Sequence, residues 1–455
     1  MTYDEAVPYL LTLGKELAAP RQARVQKFGL ENISTLANDL GAPHRAQPCA
    51  HIAGTNGKGS TAAMLDSILR AAGLRSGLYT SPHLERINER IRVGGEEIPD
   101  DEFAASFTRV AEAIERLIAS GALAAHPTYF ECLTAMSFDA FARAEVDFAV
   151  YEVGMGGRLD ATNIIIPEVA VITQIDFDHE DYLGHSIEEI AGEKAGIIKP
   201  GGWVVSAAER PEARAVIARR ATELDARLVE IDGAYRISGL HSDGGCYRAS
   251  VSSAHSNKAI RLTLPLPGSF QVRNAVTAVA AARLLAERGF PITDEAIARG
   301  VAAVRWPGRL ERLAERPAVF LDGTHNPAGA RELLAFWEEN FAGRRIFLVY
   351  GAMRDKAVDE IAGLLFPRAD RVILTSPRQS RSISAPLLAE MTAHLSSNFE
   401  VAADPSAALE RALELAGPGD AVFATGSLYL VGDLRCYWVH RSARPAVAQI
   451  SAQRG

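Results

Sequence analysis

The sequence predicts an α/β protein with a larger, doubly wound N-terminal domain and a smaller α/β C-terminal domain. A length of 455 residues exceeds what one hydrophobic core usually serves, so two or three domains are expected. From residue 48 onward, short apolar runs alternate with amphipathic helical segments, which is typical of buried parallel strands joined by helices. The alternation stops at residues 305–309 (RWPGR) and then starts again. We therefore predict domains at residues 1–304 and 305–455.

Each element of the first domain follows from its apolar pattern and its turn formers. Helices are predicted at 33–40, 61–70, 100–120, 128–144, 187–195, 211–224, 274–288 and 294–304, and strands at 49–53, 76–80, 148–153, 169–173 and 203–207. Asp100 is expected to cap the helix that it begins. Three alternating runs at 228–231, 247–251 and 259–264 predict a small antiparallel sheet.

The second domain repeats the alternation on a smaller scale. Strands are predicted at 318–321, 346–350, 371–375, 400–402 and 421–424, and helices at 328–340, 357–365, 385–395 and 407–416, before a last helix. In the first domain we expect ligands at the carboxyl ends of the strands, where open α/β sheets bind them.

Composition and charge exclude several classes of protein. Hydrophobic residues make up 48% of the chain and charged residues 23%, which is typical of soluble globular proteins. The 48 basic and 56 acidic residues give a net charge of −8, which argues against a nucleic-acid partner but leaves room for ATP. The four cysteines have no paired spacing, the N-terminus does not resemble a signal peptide, and no apolar run is long enough to span a membrane. We expect a cytoplasmic enzyme without a membrane partner.

The most informative stretch joins the predicted strand at 49–53 to the predicted helix at 61–70. It consists of Gly54, Thr55, Asn56, Gly57, Lys58, Gly59 and Ser60. The glycines free the backbone to wrap an anion, the helix N-terminus favours negative charge, and the lysine adds a mobile cation for phosphate oxygens. An ordinary glycine-rich turn is the alternative, but strand, loop and helix in this order favour a phosphate-binding loop. The usual pattern has four residues between its glycines, whereas only two separate Gly54 from Gly57.

Three polar residues lie at or beyond predicted strand ends, where they could hold a divalent ion. Ser81 ends one strand, Glu152 lies in the next apolar run, and His179 follows the strand at 169–173. A hydroxyl, a carboxylate and an imidazole suit Mg²⁺, with water in the open positions. From spacing alone, Glu152 could equally form an ion pair within the sheet, and Ser81 could cap a helix before Pro82.

The loop variant resembles that of the Mur ligase superfamily, and glycine after the lysine resembles its folylpolyglutamate synthase and dihydrofolate synthase branch. Other motifs of that family match in order, at 81–83, 151–163, 179–184, 193–199, 271–275, 306–311 and 322–327. The resemblance spans nearly the whole chain. It implies a P-loop, doubly wound ATPase domain followed by a Rossmann-like glutamate ligase domain.

The resemblance also implies roles for individual residues. The loop, with Lys58 and Ser60, would bind the ATP phosphates, and Ser81, Glu152 and His179 would bind Mg²⁺. Lys194 would be carried as a carbamate and would act in catalysis together with Lys58, Glu152 and His179; its alternative is a salt bridge within its helix. The nucleotide would be held from the second domain by Asn274, Arg309, Asp322 and His325.

The substrates that the resemblance implies are ATP, L-glutamate and a folate or dihydropteroate. The matching pterin contacts are Thr128, Tyr129, Phe130, Glu131, Leu159, Asp160 and Ala161, with Lys27 and Phe28 in a further loop. Lys27 and Phe28 differ from the Asp-Leu pair of some bifunctional members, which leaves open whether dihydropteroate is used.

The implied reaction is ATP-dependent amide formation through an acyl phosphate, by a protein that is expected to be a monomer. A cell-wall Mur ligase acting on a nucleotide-sugar acid is the nearest alternative. Gly59 after the lysine opposes this alternative. The 48 residues that precede the loop strand also oppose it, because the N-terminal nucleotide-sugar domain of the cell-wall ligases is missing. A nucleotide-regulated binding protein is the second alternative, and its ATP turnover would not depend on an amino acid.

Overall fold

The computed structural model describes residues 1–13, 29–243, 245–254, 258–395 and 398–452, without the side chains of 442–452. Lys27 and Phe28 lie outside the described residues. The chain divides into two units, Met1–Pro265 with Gln271–Arg305, and Leu266–Phe270 with Trp306–Gly455. The predicted first domain, residues 1–304, thus differs from the first unit at Leu266–Phe270, which belongs to the second unit, and at Arg305, which belongs to the first.

The first unit is built on an eight-stranded sheet. Its strands are β1 (Cys49–Ala53), β2 (Ser76–Tyr79), β3 (Ile91–Val93), β4 (Glu96–Glu97), β5 (Phe148–Glu152), β6 (Val169–Ile172), β7 (Trp203–Ser206) and β8 (Arg227–Glu230). The order is β4-β3-β2-β5-β1-β6-β7-β8, parallel from β2 to β8, with β3 and β4 antiparallel at one edge. Every residue of the central strand β1 is buried, including His51, as expected for a strand covered on both faces of the sheet.

Helices cover this sheet. They are α1 (Tyr3–Leu13), α2 (Glu31–Asp39), α3 (Lys58–Ala71), α4 (Asp100–Ala119), α5 (Tyr129–Arg143), α6 (Glu180–Leu183), α7 (Ile187–Ala195), α8 (Pro211–Glu223), α9 (Ile231–Ala234), α10 (Phe270–Glu287) and α11 (Asp294–Ala303). The large apolar residues of α4 and α5 pack with β2 and β5 in one core, which includes Phe103, Phe107 and Phe138.

Several predictions for the first unit need correction. The helix after the loop begins at Lys58 rather than at residue 61. Asp100 is the first helical residue and not a cap; Pro99 holds that position, and the Asp100 carboxylate accepts a 3.0 Å hydrogen bond from Asn88 Nδ2.

The small antiparallel sheet also differs from its prediction. It contains β9 (Tyr235–Asp243), β10 (Cys246–Ser253) and β11 (Ala259–Leu264), whereas the run at 228–231 mostly forms β8, parallel to β7. Most residues of β9 are exposed, so it lacks the alternation that marks a half-buried strand.

The second unit contains a six-stranded sheet in the order β12-β13-β17-β14-β15-β16, with β12 antiparallel at the edge. Its strands are β12 (Glu311–Glu315), β13 (Ala318–Leu321), β14 (Ile346–Tyr350), β15 (Arg371–Leu374), β16 (Phe399–Val401) and β17 (Ala421–Thr425). Its helices are α12 (Pro327–Asn340), α13 (Val358–Leu365), α14 (Ala385–Thr392), α15 (Pro405–Leu415) and α16 (Leu428–Ala452). The core includes Phe320 stacked on Phe423 with ring centroids 5.0 Å apart. Among the described helices of the chain, none is both long and apolar enough to cross a membrane.

Candidate active site

The loop between β1 and α3 has a backbone that requires glycine at two positions. Gly54 has φ +153°, and a Cβ there would lie 1.8 Å from Thr173 Oγ1. Gly57 precedes α3 in the left-handed region at φ +84°, and its Cβ would lie 2.3 Å from Asn274 Oδ1. The loop therefore bends closely around its neighbours and leads straight into a helix N-terminus, as a phosphate cradle needs.

The segment that follows β6 holds this loop in shape. Thr55 N–H donates to Gln174 O at 2.7 Å, and Thr55 Oγ1 donates to Asp176 O at 2.8 Å. Thr173 Oγ1 donates to Asn56 O at 2.7 Å. The sequence alone predicts no role for Thr173, although a polar residue at the end of the buried run 169–173 is the signal that could indicate one. These bonds tie the backbone of the loop to the segment that follows β6.

Two lysines converge on the loop. Lys58 Nζ donates to Gly54 O and to Thr55 O, both at 3.0 Å. Lys194, near the C-terminus of α7, is only 3% exposed, and its Nζ donates to the same Gly54 O at 2.8 Å. Burial, and then the nearby charge of Lys58, lower the pKa of Lys194 to about 7. Lys194 forms no ion pair with any described residue, so the salt-bridge alternative is not what the structure shows.

The predicted metal ligands occupy the carboxyl ends of β2, β5 and β6. Glu152 is 5% exposed, and its carboxylate accepts a 3.1 Å hydrogen bond from the Ser81 N–H, so these two residues are neighbours. His179 precedes α6 with φ +52°, and its N–H donates to Asp178 Oδ1 at 2.9 Å. Among the described residues no three of the types His, Cys, Asp and Glu form a metal-binding group. Ser81 and Glu152 together offer a hydroxyl and a carboxylate, which are the hard oxygen donors that Mg²⁺ prefers. His179 contacts Asp178 through its N–H and its ring, so its place in a metal site stays a prediction.

The predicted pterin contacts at 128–131 form the start of α5. Thr128 Oγ1 accepts from Glu131 N–H at 3.1 Å, and Glu131 Oε2 accepts from Thr128 N–H at 2.8 Å, which makes a capping box. Phe130 lies 6.1 Å from the Tyr79 ring, and Arg90 lies over the ring of Tyr129 at 5.5 Å. The helix start is therefore capped by side chains and carries two half-buried aromatic rings.

The other predicted pterin contacts lie in the loop after β5. The Asp160 carboxylate is buried and accepts hydrogen bonds from Met155 N–H at 2.9 Å and Thr162 N–H at 3.0 Å. Burial raises the pKa of Asp160, while those hydrogen bonds act in the opposite direction. Leu159 is half-buried and Ala161 is buried. Asp160 thus shapes the loop that carries it.

Asn274 lies in the first unit, on α10 beside Gly57, so the prediction that it acts from the second domain is wrong. Its Nδ2 donates to Gln271 Oε1 at 2.9 Å, and Gln271 Nε2 donates to Ser60 Oγ at 3.3 Å. Gln271 had no assigned role, although it belongs to the same motif. The nucleotide-binding role of Asn274 stays a prediction, and its position beside the loop supports it.

Arg309, Asp322 and His325 cluster in the second unit at the carboxyl end of β13. Asp322 accepts from Leu310 N–H at 2.9 Å and from Thr324 N–H at 3.0 Å. His325 Nδ1 donates to Gly323 O at 2.8 Å, and a Cβ on Gly323 would lie 2.4 Å from Arg309 Nη1. The resulting corner brings one guanidinium and one imidazole to a strand end, the usual ligand position of such sheets.

The chain is similar to known proteins over most of its length. The chain matches the Mur ligase middle domain over residues 52–282 and the Mur ligase, glutamate ligase domain, over residues 308–428. A dihydrofolate synthase/folylpolyglutamate synthase of Bacillus subtilis is 37% identical over 415 residues, covering 90% of this chain and 94% of the relative. One of Mycobacterium tuberculosis is 39% identical, covering 79% and 76%.

Longer relatives and solved structures extend the comparison. A probable bifunctional folylpolyglutamate synthase/dihydropteroate synthase of Halobacterium salinarum is 36% identical over all of this chain, which spans only 54% of that relative. The structure of M. tuberculosis folylpolyglutamate synthase complexed with ADP and AMPPCP superposes with a TM-score of 0.84 at 35% identity, covering 93% of this chain and 99% of that one. E. coli FolC in complex with DHPP and ADP gives 0.83 at 32% identity, with 96% and 98% covered.

Proposed function

Because the chain belongs to the folylpolyglutamate synthase and dihydrofolate synthase family of the Mur ligase superfamily, we propose that it is an ATP-dependent ligase that adds L-glutamate to a folate. One observation carries the proposal: a glycine cradle at a helix N-terminus on which Lys58 and the buried Lys194 converge. The relatives named above, one of them solved with DHPP and ADP, support a pterin acid and a nucleotide as substrates.

The reaction forms an amide in two steps. The substrate carboxylate attacks the γ-phosphate of ATP to give an acyl phosphate and ADP, and the amine of glutamate then displaces phosphate from the acyl carbon. Lys58 supplies positive charge to the phosphate oxygens, which replace the Gly54 and Thr55 carbonyls as its acceptors. The first N–H groups of α3 stabilise the same charge.

Ser81, Glu152 and His179 are the residues that would hold Mg²⁺. The buried Glu152 carboxylate, fixed by the Ser81 N–H, fits this role because it is a hard oxygen donor held at a strand end. When bound, Mg²⁺ offsets negative charge on the phosphates. The protein's part is to keep Glu152 oriented.

Lys194 fits the carbamate that the family resemblance implies. Only a neutral amine adds to carbon dioxide, and a pKa of about 7 leaves much of the Lys194 amine neutral near pH 7, where an ordinary lysine is charged. As a carbamate the side chain presents an anion rather than a cation. A carbonyl signal in ¹³C NMR after addition of labelled bicarbonate, lost in Lys194→Met, is the expected signature.

The acid substrate is either a folate, meaning tetrahydrofolate or one of its glutamates, or dihydropteroate, or the protein uses both kinds of acid. The capped start of α5 and the loop with Leu159, Asp160 and Ala161 are the proposed pterin contacts. The proposed nucleotide contacts of the second unit are Arg309, Asp322 and His325. We further propose a cytoplasmic monomer that binds no nucleic acid, in keeping with the net charge of −8 and the free cysteines.

The test is phosphate release with ATP, Mg²⁺ and glutamate, comparing tetrahydrofolate, dihydropteroate and a nucleotide-sugar acid, each with and without glutamate. We expect glutamate-dependent release with at least one pterin acid and none with the nucleotide-sugar acid. Lys58→Ala should abolish release, while Lys258→Ala, which removes an exposed lysine that pairs with Asp294, should not. Release only with the nucleotide-sugar acid favours a cell-wall ligase, and release independent of any amino acid favours a nucleotide switch.

A further inference from the structure

His51 lies in the middle of β1, fully buried, and the catalytic scheme above does not use it. Its Nε2 lies 2.7 Å from Thr162 Oγ1. Its Nδ1 has no hydrogen-bond partner among the described residues. Buried polar groups are normally hydrogen-bonded, so a fully buried imidazole with a single hydrogen bond calls for a structural or functional explanation.

The direction of the hydrogen bonds follows from the chemistry of the groups. Thr162 Oγ1 donates to Asp160 Oδ1 at 2.5 Å, so its one hydrogen is used and the hydroxyl must accept from His51. His51 is therefore the Nε2–H tautomer. Burial also lowers the pKa of His51 to about 3, which keeps the ring neutral. The result is a directed chain from the central strand through one hydroxyl to a carboxylate.

That carboxylate is the centre of the loop after β5. Asp160 Oδ1 also accepts from Thr162 N–H, and its Oδ2 accepts from Met155 N–H, so the carboxylate closes the loop on itself. The proposed phosphate loop, in contrast, is held by hydrogen bonds of Thr55 and Thr173. These bonds are separate from those that link His51 to Asp160.

We propose that His51 is a positioning residue for the acid substrate: through Thr162 it fixes Asp160 and thereby the loop that presents Leu159, Asp160 and Ala161. This rests on the proposed function, since the loop is taken to contact the pterin acid. Loss of the hydrogen bonds that join His51, Thr162 and Asp160 should therefore loosen that loop and raise the KM for the acid, while the KM for ATP stays nearly unchanged.

The primary variant is Thr162→Val, which keeps the shape of the side chain and removes the hydroxyl. We expect the KM for the pterin acid to rise about tenfold, because a hydrogen bond to a charged group is lost, with the KM for ATP within about twofold of wild type. Thr162→Ser should restore the wild-type KM. Thr392→Val, a buried threonine of α14 whose hydroxyl bonds within its own helix, is the matched control.

His51 itself is tested with His51→Gln, whose amide can donate from the position of Nε2, and His51→Leu, which cannot donate. If His51→Leu fails to fold, Thr162→Val still decides the matter. An activity-independent readout is hydrogen exchange of the Met155 and Thr162 amides, which should be about tenfold faster in Thr162→Val and unchanged in Thr162→Ser.

Equal rises in the KM for acid and ATP, unchanged exchange at Met155 and Thr162, or failure of Thr162→Ser to rescue would each overturn the proposal. If the wild-type protein turns over no pterin acid, the proposed function fails. The exchange measurement still decides whether His51 and Thr162 hold the loop.

Discussion

Lys58 and Lys194 donate hydrogen bonds to one and the same oxygen, the carbonyl of Gly54, at 3.0 and 2.8 Å. The chain distance between them is 136 residues, and β1, α3 and α7 bring them together. Burial is the main reason that the pKa of Lys194 is lowered, and the positive charge of Lys58 on the same acceptor lowers it further. The proposed phosphate loop and the proposed carbamate position thus meet at one atom, the Gly54 carbonyl oxygen.

The lowered pKa of Lys194 makes the free energy of unfolding depend on pH. Lys194 has a folded-state pKa of about 7 against an ordinary value of 10.5, so folding opposes its protonation. The penalty is absent above pH 10.5, grows as the pH falls toward 7, and is complete below 7. We expect Lys194→Met, measured by urea unfolding without carbon dioxide, to gain stability relative to wild type as the pH falls from 9 to 6, by at most about 1.4 kcal/mol per pH unit.

Lys258→Met is the control for that experiment, because the pKa of Lys258 is raised by Asp294 and its charge does not change in this range. A stability difference between Lys194→Met and wild type that is the same at pH 6 and pH 9 would show that Lys194 is not the titrating group.

Replacing Gly57 separates backbone strain from steric conflict. Gly57→Ala places a Cβ 2.3 Å from Asn274 Oδ1 in the left-handed region. In Gly73→Ala the backbone is also in the left-handed region, at φ +89°, but the added Cβ has no other atom within 4 Å. Both should lose about 1 kcal/mol of unfolding free energy from strain, but only Gly57→Ala should raise the KM for ATP at least about tenfold. Equal kinetics in the two variants would argue against a nucleotide at this loop.

The capping box of α5 can be tested in a similar way. Thr128→Ala removes the hydroxyl that accepts from Glu131 N–H. Thr293→Ala removes the equivalent cap of α11, because the Thr293 hydroxyl accepts from Ala296 N–H at 3.1 Å. Each should cost about 1 kcal/mol in stability. Only Thr128→Ala should also raise the KM for the pterin acid. If Thr293→Ala raises it equally, the start of α5 has no special role in substrate binding.

Arg309→Ala tests the nucleotide role of the second unit. The Arg309 guanidinium lies beside Gly323. The backbone at the carboxyl end of β13 is held by hydrogen bonds to the Asp322 carboxylate, in which Arg309 takes no part, so Arg309→Ala should fold. We expect weaker ATP binding by isothermal titration, by about tenfold or more, and reduced turnover. Arg316→Ala, at the turn between β12 and β13, is the control. Unchanged ATP affinity in Arg309→Ala would remove this residue from the site.

Local features were predictable from the sequence, and contacts between distant segments were not. The strand Cys49–Ala53 and its loop could be predicted because apolar run, glycines and lysine are contiguous. The start of α3 was misplaced because Gly57 and Gly59 look like loop residues, although Lys58 and Gly59 are helical. The exposed strand Tyr235–Asp243 had no apolar alternation to reveal it.

The site shows the same division. The family resemblance selected Lys194, but no sequence pattern could place its Nζ on Gly54 O. Asn274 was assigned to the wrong domain because its role came from the resemblance, whereas α10 carries it beside Gly57. The chain from His51 to Asp160 joins a strand to a loop more than a hundred residues away, and only the fold reveals it.

The most direct test of the central claim follows an oxygen atom. The pterin acid is labelled with ¹⁸O in its reacting carboxylate and incubated with the protein, ATP, Mg²⁺ and glutamate, and the released phosphate is analysed by mass spectrometry. Attack of that carboxylate on the γ-phosphate predicts one ¹⁸O in each phosphate released, and the remaining label in the new amide. Glutamate-dependent product with unlabelled phosphate would contradict the acyl-phosphate mechanism.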